Sequence, residues 1–254
     1  MPPHSAFAQP PLVLQASERL AKLRAVQYPA ALWLLCLAFT LLWDLYGWDL
    51  PVMRSLGNRQ GFALHHHWWL ETVLHHGVQK LSTVLYLALW LMVWWPLGTL
   101  KNWSRRERLG VVLCITLALL ATSGLKQISQ TSCPSSLAEF GGTAQYVSHW
   151  AWGVRDGGGG HCFPGGHASS ALGFLALAFP FLARPGAPNQ RRGYAVLAVV
   201  LAAGVLLGLA QTLRGAHYPS HTLWTVLLCG AVSATTWRLW QRPWRLPAQR
   251  QVQR

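Results

Sequence analysis

Residues 193–213 read GYAVLAVVLAAGVLLGLAQTL, an apolar run without a charged residue. About 20 such residues are enough to cross the hydrocarbon core of a bilayer as an α-helix. Only 11% of the chain is Asp, Glu, Lys or Arg, against roughly 25% in soluble domains. The sequence therefore predicts an all-α, polytopic membrane protein with about six transmembrane helices. The five further uncharged runs are 29–43, 81–100, 109–125, 168–183 and 222–237.

The net charge of +14 first suggests a nucleic-acid partner, but the positions of the charges argue otherwise. With six helices, fifteen Lys and Arg residues fall on one side of the membrane and six on the other. Cytoplasmic loops carry the positive excess, so both termini are predicted in the cytoplasm, and no nucleic-acid binding is predicted. The fifteen are Arg19, Lys22, Arg24, Lys101, Arg105, Arg106, Arg108, Arg184, Arg191, Arg192, Arg238, Arg242, Arg245, Arg250 and Arg254; the six are Arg54, Arg59, Lys80, Lys126, Arg155 and Arg214.

Three regions are expected along the chain. Residues 1–28 form a cytoplasmic leader, 29–240 the six-helix membrane domain, and 241–254 a basic cytoplasmic tail. The leader has no apolar core next to a basic start, so it is not predicted to be a cleavable signal peptide. Its segment 12–24 is either an amphipathic helix on the cytoplasmic surface or a plain juxtamembrane stretch.

Polar residues collect on the predicted outer side of the membrane. Lys126 stands at the outer end of the third helix, Gly-Gly-His at 165–167 begins the fourth, and Arg214 and His217 separate the fifth from the sixth. Backbone N–H groups at a helix start are free donors that attract anions, and glycine permits close approach. Cations, N–H donors and two imidazoles at one membrane depth are what phosphoryl transfer requires.

A histidine-rich stretch, HHHWWLETVLHH at 65–76, lies on the same side. His67, Glu71 and His75 recur every four residues, so one helix face could present them to zinc. The stretch lacks the His-Glu-x-x-His spacing of zinc hydrolases. We therefore interpret these residues as interfacial histidines and predict no metal site.

Asp44 stands near the outer end of the first apolar run. A carboxylate is costly in lipid, so its side chain should face protein or water. Two roles stay open for it: capping a helix, or orienting a histidine of the site.

From 126 to 221 the chain resembles the type-2 phosphatidic acid phosphatase family, the membrane branch of a superfamily that includes vanadium haloperoxidases. That family has three motifs: Lys, six residues, Arg-Pro; then Pro-Ser-Gly-His; then Ser-Arg, five residues, His, three residues, Asp. The six-helix plan of the family also matches most of the chain. Here the motifs read Lys126-x6-Cys133-Pro134, Pro164-Gly165-Gly166-His167 and Ala210-Gln211-x5-His217-x3-His221.

The resemblance implies a role for each matching residue. His217 would be the nucleophile and form a phosphohistidine, and His167 would protonate the leaving oxygen. Lys126 and the N–H groups of Gly165 and Gly166 would hold the phosphoryl oxygens. Histidine suits both roles because its pKa lies near neutrality. The family needs no cofactor and no metal, and none is expected here.

Several motif positions are substituted in this chain. Cys133 and Gln211 stand where the family has arginine, so Arg214, one helical turn from Gln211, and Arg155 are the candidates to supply guanidinium groups to the substrate. His221 stands where the family has the aspartate that orients the nucleophile, and it could accept a hydrogen bond from that histidine. The nearest acidic candidates by topology are Asp156, Glu139 and Asp44.

Two cysteines of the five are predicted to pair. Cys133 and Cys162 both lie in the outer loop 126–166, where an oxidising compartment favours a disulfide. The bond would tie the first motif to the second. The other three lie in apolar runs, where a thiol packs as a small apolar group; they are Cys36, Cys114 and Cys229.

The resemblance predicts a phosphatase of the bacterial inner membrane that acts at the periplasmic face. Its substrate would be a phospholipid or an isoprenyl (pyro)phosphate in the bilayer. A lipid phosphotransferase and a non-catalytic lipid-phosphate binder remain alternatives. A transporter is disfavoured, because transporters carry polar or broken segments near mid-membrane and the six runs are uncharged.

Overall fold

The computed structural model describes residues 31–242. The leader 1–28, its predicted amphipathic segment and nearly all of the tail 241–254 lie outside these residues. Four short 3₁₀ segments lie at Gly98–Asn102, Pro134–Ser136, Ala138–Phe140 and Gly173–Ala178, and two-residue strands β1 (Gly57–Asn58) and β2 (Gly61–Phe62) pair antiparallel. The other helices are α1 (Ala31–Leu45), α2 (Asp49–Leu56), a π-helix (Trp69–Gly77), α3 (Val78–Leu91), α4 (Arg105–Ile128), α5 (Gly166–Leu172), α6 (Phe179–Leu182), α7 (Ala187–Leu213) and α8 (Pro219–Gln241).

The fold is mostly helical, with two or three candidate membrane spans in the described part. Helices α4 and α7 are long and apolar enough to cross a bilayer, and α1 with α2, bent by 73°, counts as a third if the pair is one span. The predicted count of six is not confirmed. Two of the predicted runs are interrupted near a proline, which lacks an N–H and disfavours a helical conformation of the residue before it. In the run 81–100, α3 ends at Leu91, before Pro96; in the run 168–183, a 3₁₀ segment precedes Pro180.

Glycines let the helices around the site approach closely. A Cβ at Gly204 of α7 would collide with Leu172 of α5, and a Cβ at Gly208 would collide with Thr222 of α8. Small residues at such crossings bring helix backbones together in membranes. The C-terminal half of α7 is therefore held against both α5 and α8, the helices that flank the polar site.

Helix α4 begins with a reciprocal cap. The Ser104 hydroxyl accepts from the Glu107 N–H, and the Glu107 carboxylate accepts from the Ser104 N–H at 2.7 Å. Two N–H groups that lack a partner in the helix are thereby satisfied. From this start α4 runs without a break to Ile128 and brings Lys126 to its far end.

Asp49 anchors the first turn of α8. Its carboxylate accepts the Ser220 N–H at 3.0 Å and the Ser220 hydroxyl, and it also accepts the Trp43 indole N–H at 2.8 Å. Negative charge is favourable at a helix start, where N–H groups have no partner. Because α8 starts two residues after His217, this contact also restrains the segment that carries His217.

Asp44 ties α1 to the outer loop and to α8. One carboxylate oxygen accepts from His149 Nε2 at 3.2 Å, from Trp150 Nε1 at 2.9 Å and from Trp224 Nε1 at 2.8 Å. Of the two roles left open by the sequence, Asp44 therefore binds a histidine, although one outside the three motifs. The His149 ring in turn packs 5.7 Å from the His221 ring.

Asp44→Ala is expected to destabilise the protein by about 3 kcal/mol or more, because it leaves the buried His149 ring and the partly buried Trp224 indole without the charged acceptor that they share. The measurement is thermal unfolding of the purified chain in detergent. Glu139→Gln, which breaks an exposed pair with Arg54, is the control and should change little. Equal losses for the two variants would contradict the proposed importance of Asp44.

Candidate active site

Three helix ends meet at one polar site. Lys126 lies in the last turn of α4, His167 in the first turn of α5, and His217 between α7 and α8. The ring centroids of His167 and His217 are 5.7 Å apart. The Lys126 ammonium lies 3.3 Å from the position that a Cβ on Gly166 would take. The structure thus brings together two imidazoles, one cation and a helix start that the sequence singled out.

The spacing of the two imidazoles suits a phosphoryl group between them. A nucleophile stands about 3 Å from the atom it attacks, and a general acid stands about 3 Å from the oxygen it protonates. The two rings, 5.7 Å apart at their centroids, are on this scale. Both imidazoles can therefore reach one phosphoryl group bound beside them, one its phosphorus and the other its leaving oxygen.

His217 is buried beneath this site, with 3% of its surface exposed. Burial, helped by the positive charge of Lys126, lowers the pKa of His217 to about 3. The imidazole is therefore neutral at pH 7 and keeps a lone pair for attack. Its Nδ1 lies 3.4 Å from the sulfur of Cys162.

The predicted orienting role of His221 is not seen. Its ring is fully buried, both ring nitrogens lack a hydrogen-bond partner, and its centroid is 5.8 Å from that of His217. The reason is its place in the first turn of α8, which directs the ring among aromatic neighbours. These neighbours are Tyr218, Phe163 and His149, at centroid distances of 5.0, 5.2 and 5.7 Å.

The acidic candidates also have other partners. Asp156 accepts the N–H and hydroxyl of Ser132, and Glu139 pairs with Arg54. Asp44 belongs to the cluster with His149 described above. Within residues 31–242, therefore, no carboxylate hydrogen-bonds to the proposed nucleophile.

Gly165 differs from its predicted role. Its N–H donates to the His221 carbonyl at 3.2 Å, so this donor is not available to a phosphoryl oxygen. A Cβ at Gly165 would lie 3.3 Å from the His221 oxygen and from Thr225 Oγ1, which leaves little room for the serine of the family motif. Gly166 is the first residue of α5, where an N–H has no partner within the helix. Its N–H remains a candidate donor to the substrate.

Arg214 is buried beside the motif position that lacks arginine. Its Nε donates to the His65 carbonyl at 2.9 Å, and its Nη1 donates to Gln211 Oε1 at 3.3 Å. Its Nη2 lies 3.4 Å from Glu71 Oε1. Gln211 is the residue that aligns with the arginine of the third motif. The guanidinium therefore lies next to that position, and three neighbours hold it there.

The π-helix adds two residues that the sequence analysis did not place in the site. His75 stacks on His167 with ring centroids 4.0 Å apart, and Glu71 faces Arg214. Burial lowers the pKa of His75, and the nearby His76, Arg214 and Lys126 lower it further. The positive charge of the site therefore comes from Lys126 and Arg214, with Glu71 next to Arg214. The only signal for His75 and Glu71 in the sequence was the histidine-rich stretch itself.

The zinc alternative is not supported for that stretch. His67 is exposed, Glu71 contacts Arg214 and His66, and His75 stacks on His167. His67 lies before the π-helix, and a π-helix has a wider turn than an α-helix, so the spacing of four does not align Glu71 with His75. In the described part of the chain, two other groups have metal-ligand spacing. One contains the disulfide sulfurs, and in the other Asp44 and Asp49 accept several N–H donors.

Arg155 lies apart from the two imidazoles. It is exposed and lines a pocket of about 530 Å³ with His161, the glycines at 158–160 and residues 127–130. His161 links this pocket to α4, since its Nδ1 lies 3.1 Å from the Lys126 carbonyl. No contact of Arg155 within residues 31–242 reaches His217.

The structure contains a disulfide between Cys133 and Cys162, whereas Cys36, Cys114 and Cys229 are free. We expect alkylation of the denatured, unreduced chain to label three cysteines, and alkylation after reduction to label all five. Denaturation is needed because two of the free thiols are buried. Intact mass gives the count, and five labels without reduction would contradict the disulfide.

Comparison with known proteins gives one match. Residues 108–245, more than half of the chain, match the family model described as the PAP2 superfamily. The matched range contains all three motif segments. No curated protein and no solved structure matches the chain significantly.

Proposed function

The chain belongs to the PAP2 superfamily, which generally hydrolyses phosphate esters, and we propose that it is a lipid phosphate or lipid pyrophosphate phosphatase. The observation that carries the proposal is the pair His167 and His217 with ring centroids 5.7 Å apart. Lys126 and the N–H of Gly166 lie beside this pair at one end of the apolar helices. The lipid tail would remain in the bilayer while the phosphate enters the site.

The proposed reaction has two steps. The phosphoryl oxygens are held by Lys126 and the Gly166 N–H, and the positive charge of Arg214 stabilises their negative charge. His167 is neutral in the empty site, because burial and the neighbouring basic groups lower its pKa to about 2, so it has to take up a proton together with the substrate phosphate, whose negative charge favours the imidazolium. His217 Nε2 then attacks phosphorus, the bond from phosphorus to the lipid oxygen breaks, and His167 gives that oxygen the proton. Water then attacks the phosphohistidine, His167 takes a proton from it, and inorganic phosphate leaves.

We propose that the site faces the periplasm of a bacterial inner membrane, with both termini in the cytoplasm. In the six-helix arrangement, the positive-inside distribution of Lys and Arg supports this orientation. The Cys133–Cys162 disulfide supports it independently, because such bonds persist in oxidising compartments.

The test is phosphate release by the purified full chain in detergent. The panel contains phosphatidate, phosphatidylglycerol phosphate, lipid A and an isoprenyl pyrophosphate, with glycerol phosphate as the substrate without a tail. We expect release from at least one lipid and little from glycerol phosphate. Transfer of labelled phosphate to an added lipid alcohol would favour the phosphotransferase instead.

A non-catalytic lipid-phosphate binder is the second candidate. The substitutions at Cys133, Gly165, Gln211 and His221 favour it, because they alter motif residues of the family. Binding of lipid phosphates without any turnover would support this candidate and contradict the phosphatase.

Arg214→Gln is expected to lower kcat/KM for lipid phosphate by about 100-fold, the scale on which one preorganised donor contributes to charge stabilisation. Arg214→Lys should recover only part of this, since it keeps the charge but not the planar fork. Arg59→Gln, which removes an exposed arginine, is the matched control. Unchanged turnover in Arg214→Gln would show that this guanidinium does not serve the substrate.

A further inference from the structure

The disulfide lies against the proposed nucleophile. Cys162 Sγ is 3.4 Å from His217 Nδ1, and both residues are almost completely buried. The bond joins Cys133, beside Pro134 of the first motif, to Cys162, two residues before Pro164 of the second. The third motif supplies His217. One covalent bond therefore brings all three segments of the site together.

The hydrogens of this contact can be assigned from chemistry. A disulfide sulfur carries no hydrogen, so a hydrogen bond here needs the hydrogen of Nδ1. A neutral imidazole carries one N–H, on either Nδ1 or Nε2. With the hydrogen on Nδ1, the lone pair lies on Nε2, which is the atom left to attack phosphorus.

Sulfur is a weak acceptor, and the Cys162 backbone carbonyl also lies close enough to hydrogen-bond to the His217 ring, so a second acceptor of the same residue faces this imidazole. In the described part of the chain, His217 Nδ1 has no carboxylate partner, and the sulfur is a polar contact of this atom. The Ala216 carbonyl oxygen lies 3.2 Å from the same sulfur; neither atom carries a hydrogen, so this is a packing contact that holds the sulfur in place. Which imidazole nitrogen is protonated is set by the bond that the other one makes.

We infer that Cys162 positions His217 for the reaction, by accepting the Nδ1 hydrogen and so leaving Nε2 as the attacking atom. The inference rests on the proposed function, in which His217 attacks phosphorus. The sulfur then takes the place of the orienting aspartate, which this chain replaces with His221, whose ring nitrogens have no hydrogen-bond partner.

Reduction of the Cys133–Cys162 disulfide should move the imidazole hydrogen of His217 from Nδ1 to Nε2. Dithiothreitol supplies two electrons and two protons, turns the pair into two thiols and is itself oxidised to its cyclic disulfide. The Cys162 thiol then carries a hydrogen, which it can donate to Nδ1 or to the Ala216 carbonyl 3.2 Å away. Donation to Nδ1 places the imidazole hydrogen on Nε2, and the lone pair facing phosphorus is lost. The loss should fall on kcat, because Lys126 and Gly166 still bind phosphate.

Two variants separate this effect from simple loss of a covalent brace. Both Cys133→Ala and the double variant Cys133→Ala/Cys162→Ala lack the disulfide, but only the first keeps the Cys162 thiol. We expect kcat of Cys133→Ala and of reduced wild type to lie about fivefold to tenfold below that of the double variant. Equal kcat for the two variants would show that the bond is only a brace and would overturn the inference.

Two additions to this experiment exclude metal binding and identify the tautomer directly. A chelator is included throughout, because the two reduced thiols and His217 would form a set of zinc ligands. Nitrogen NMR of the full chain labelled at histidine reads the tautomer directly, with the His217 signal assigned by its loss in His217→Gln. We expect Nδ1–H in the oxidised protein and Nε2–H after reduction; Nε2–H in the oxidised protein would overturn the inference.

Failure of the proposed function can be told from failure of this inference. The NMR measurement needs no turnover, so absence of phosphate release from every lipid contradicts the phosphatase alone. An active enzyme whose His217 has the opposite tautomer contradicts the positioning role alone.

Discussion

His217→Gln is expected to lower kcat for phosphate release by at least about 1,000-fold, since removal of a nucleophile costs far more than removal of one binding group. Glutamine keeps a polar side chain of similar reach but offers no nucleophilic nitrogen. The loss should be seen in kcat with every lipid that the wild type hydrolyses. His67→Gln, at an exposed histidine outside the site, should retain wild-type turnover.

A trapping experiment gives the same prediction a second readout. Wild type quenched during turnover of a labelled lipid phosphate should carry acid-labile, alkali-stable phosphate on the protein, and His217→Gln should carry none. Full activity of His217→Gln, or equal labelling of the two proteins, would show that another residue attacks phosphorus.

The sequence could predict which residues meet because each of them lies at the end of an element. Lys126 ends one apolar run, His167 begins another after two glycines, and His217 lies in a short connection between two more. The ends of adjacent antiparallel helices lie at the same depth, so order along the chain implies proximity. The 5.7 Å between the His167 and His217 rings follows from that arrangement.

The other features of the site could not be predicted from the sequence, because they depend on the local helix type and on where each helix starts, which the hydrophobic periodicity does not indicate. His75 reaches His167 because residues 69–77 form a π-helix, and a pattern read with an α-helical period places its side chains differently. The orientation of His221 depends on where α8 starts, which Pro219 and the contact to Asp49 determine together. Hydropathy alone likewise predicted six spans, whereas two or three candidates in the described part are long and apolar enough to cross a bilayer. Helix α8 runs unbroken over Pro219–Gln241 and is not among them.

His167→Gln should lower kcat by about 100- to 10,000-fold for lipid phosphates, the range for loss of a general acid. The reason is that a lipid alkoxide is a poor leaving group and needs a proton as the phosphorus–oxygen bond breaks. The size of the loss should therefore depend on the leaving group, which separates an acid from a nucleophile or a phosphate clamp.

The sharpest measurement compares two substrates with the same apolar tail, an alkyl phosphate and a nitrophenyl-type aryl phosphate. Nitrophenolate leaves without a proton, so His167→Gln should lose far less activity with the aryl ester than with the alkyl ester. His217→Gln should be equally slow with both, because attack on phosphorus is needed in either case. If His167→Gln lost the same activity with both esters, His167 would serve binding rather than proton transfer. The site would then need another general acid, and His75, whose ring lies 4.0 Å from that of His167, is the nearest imidazole.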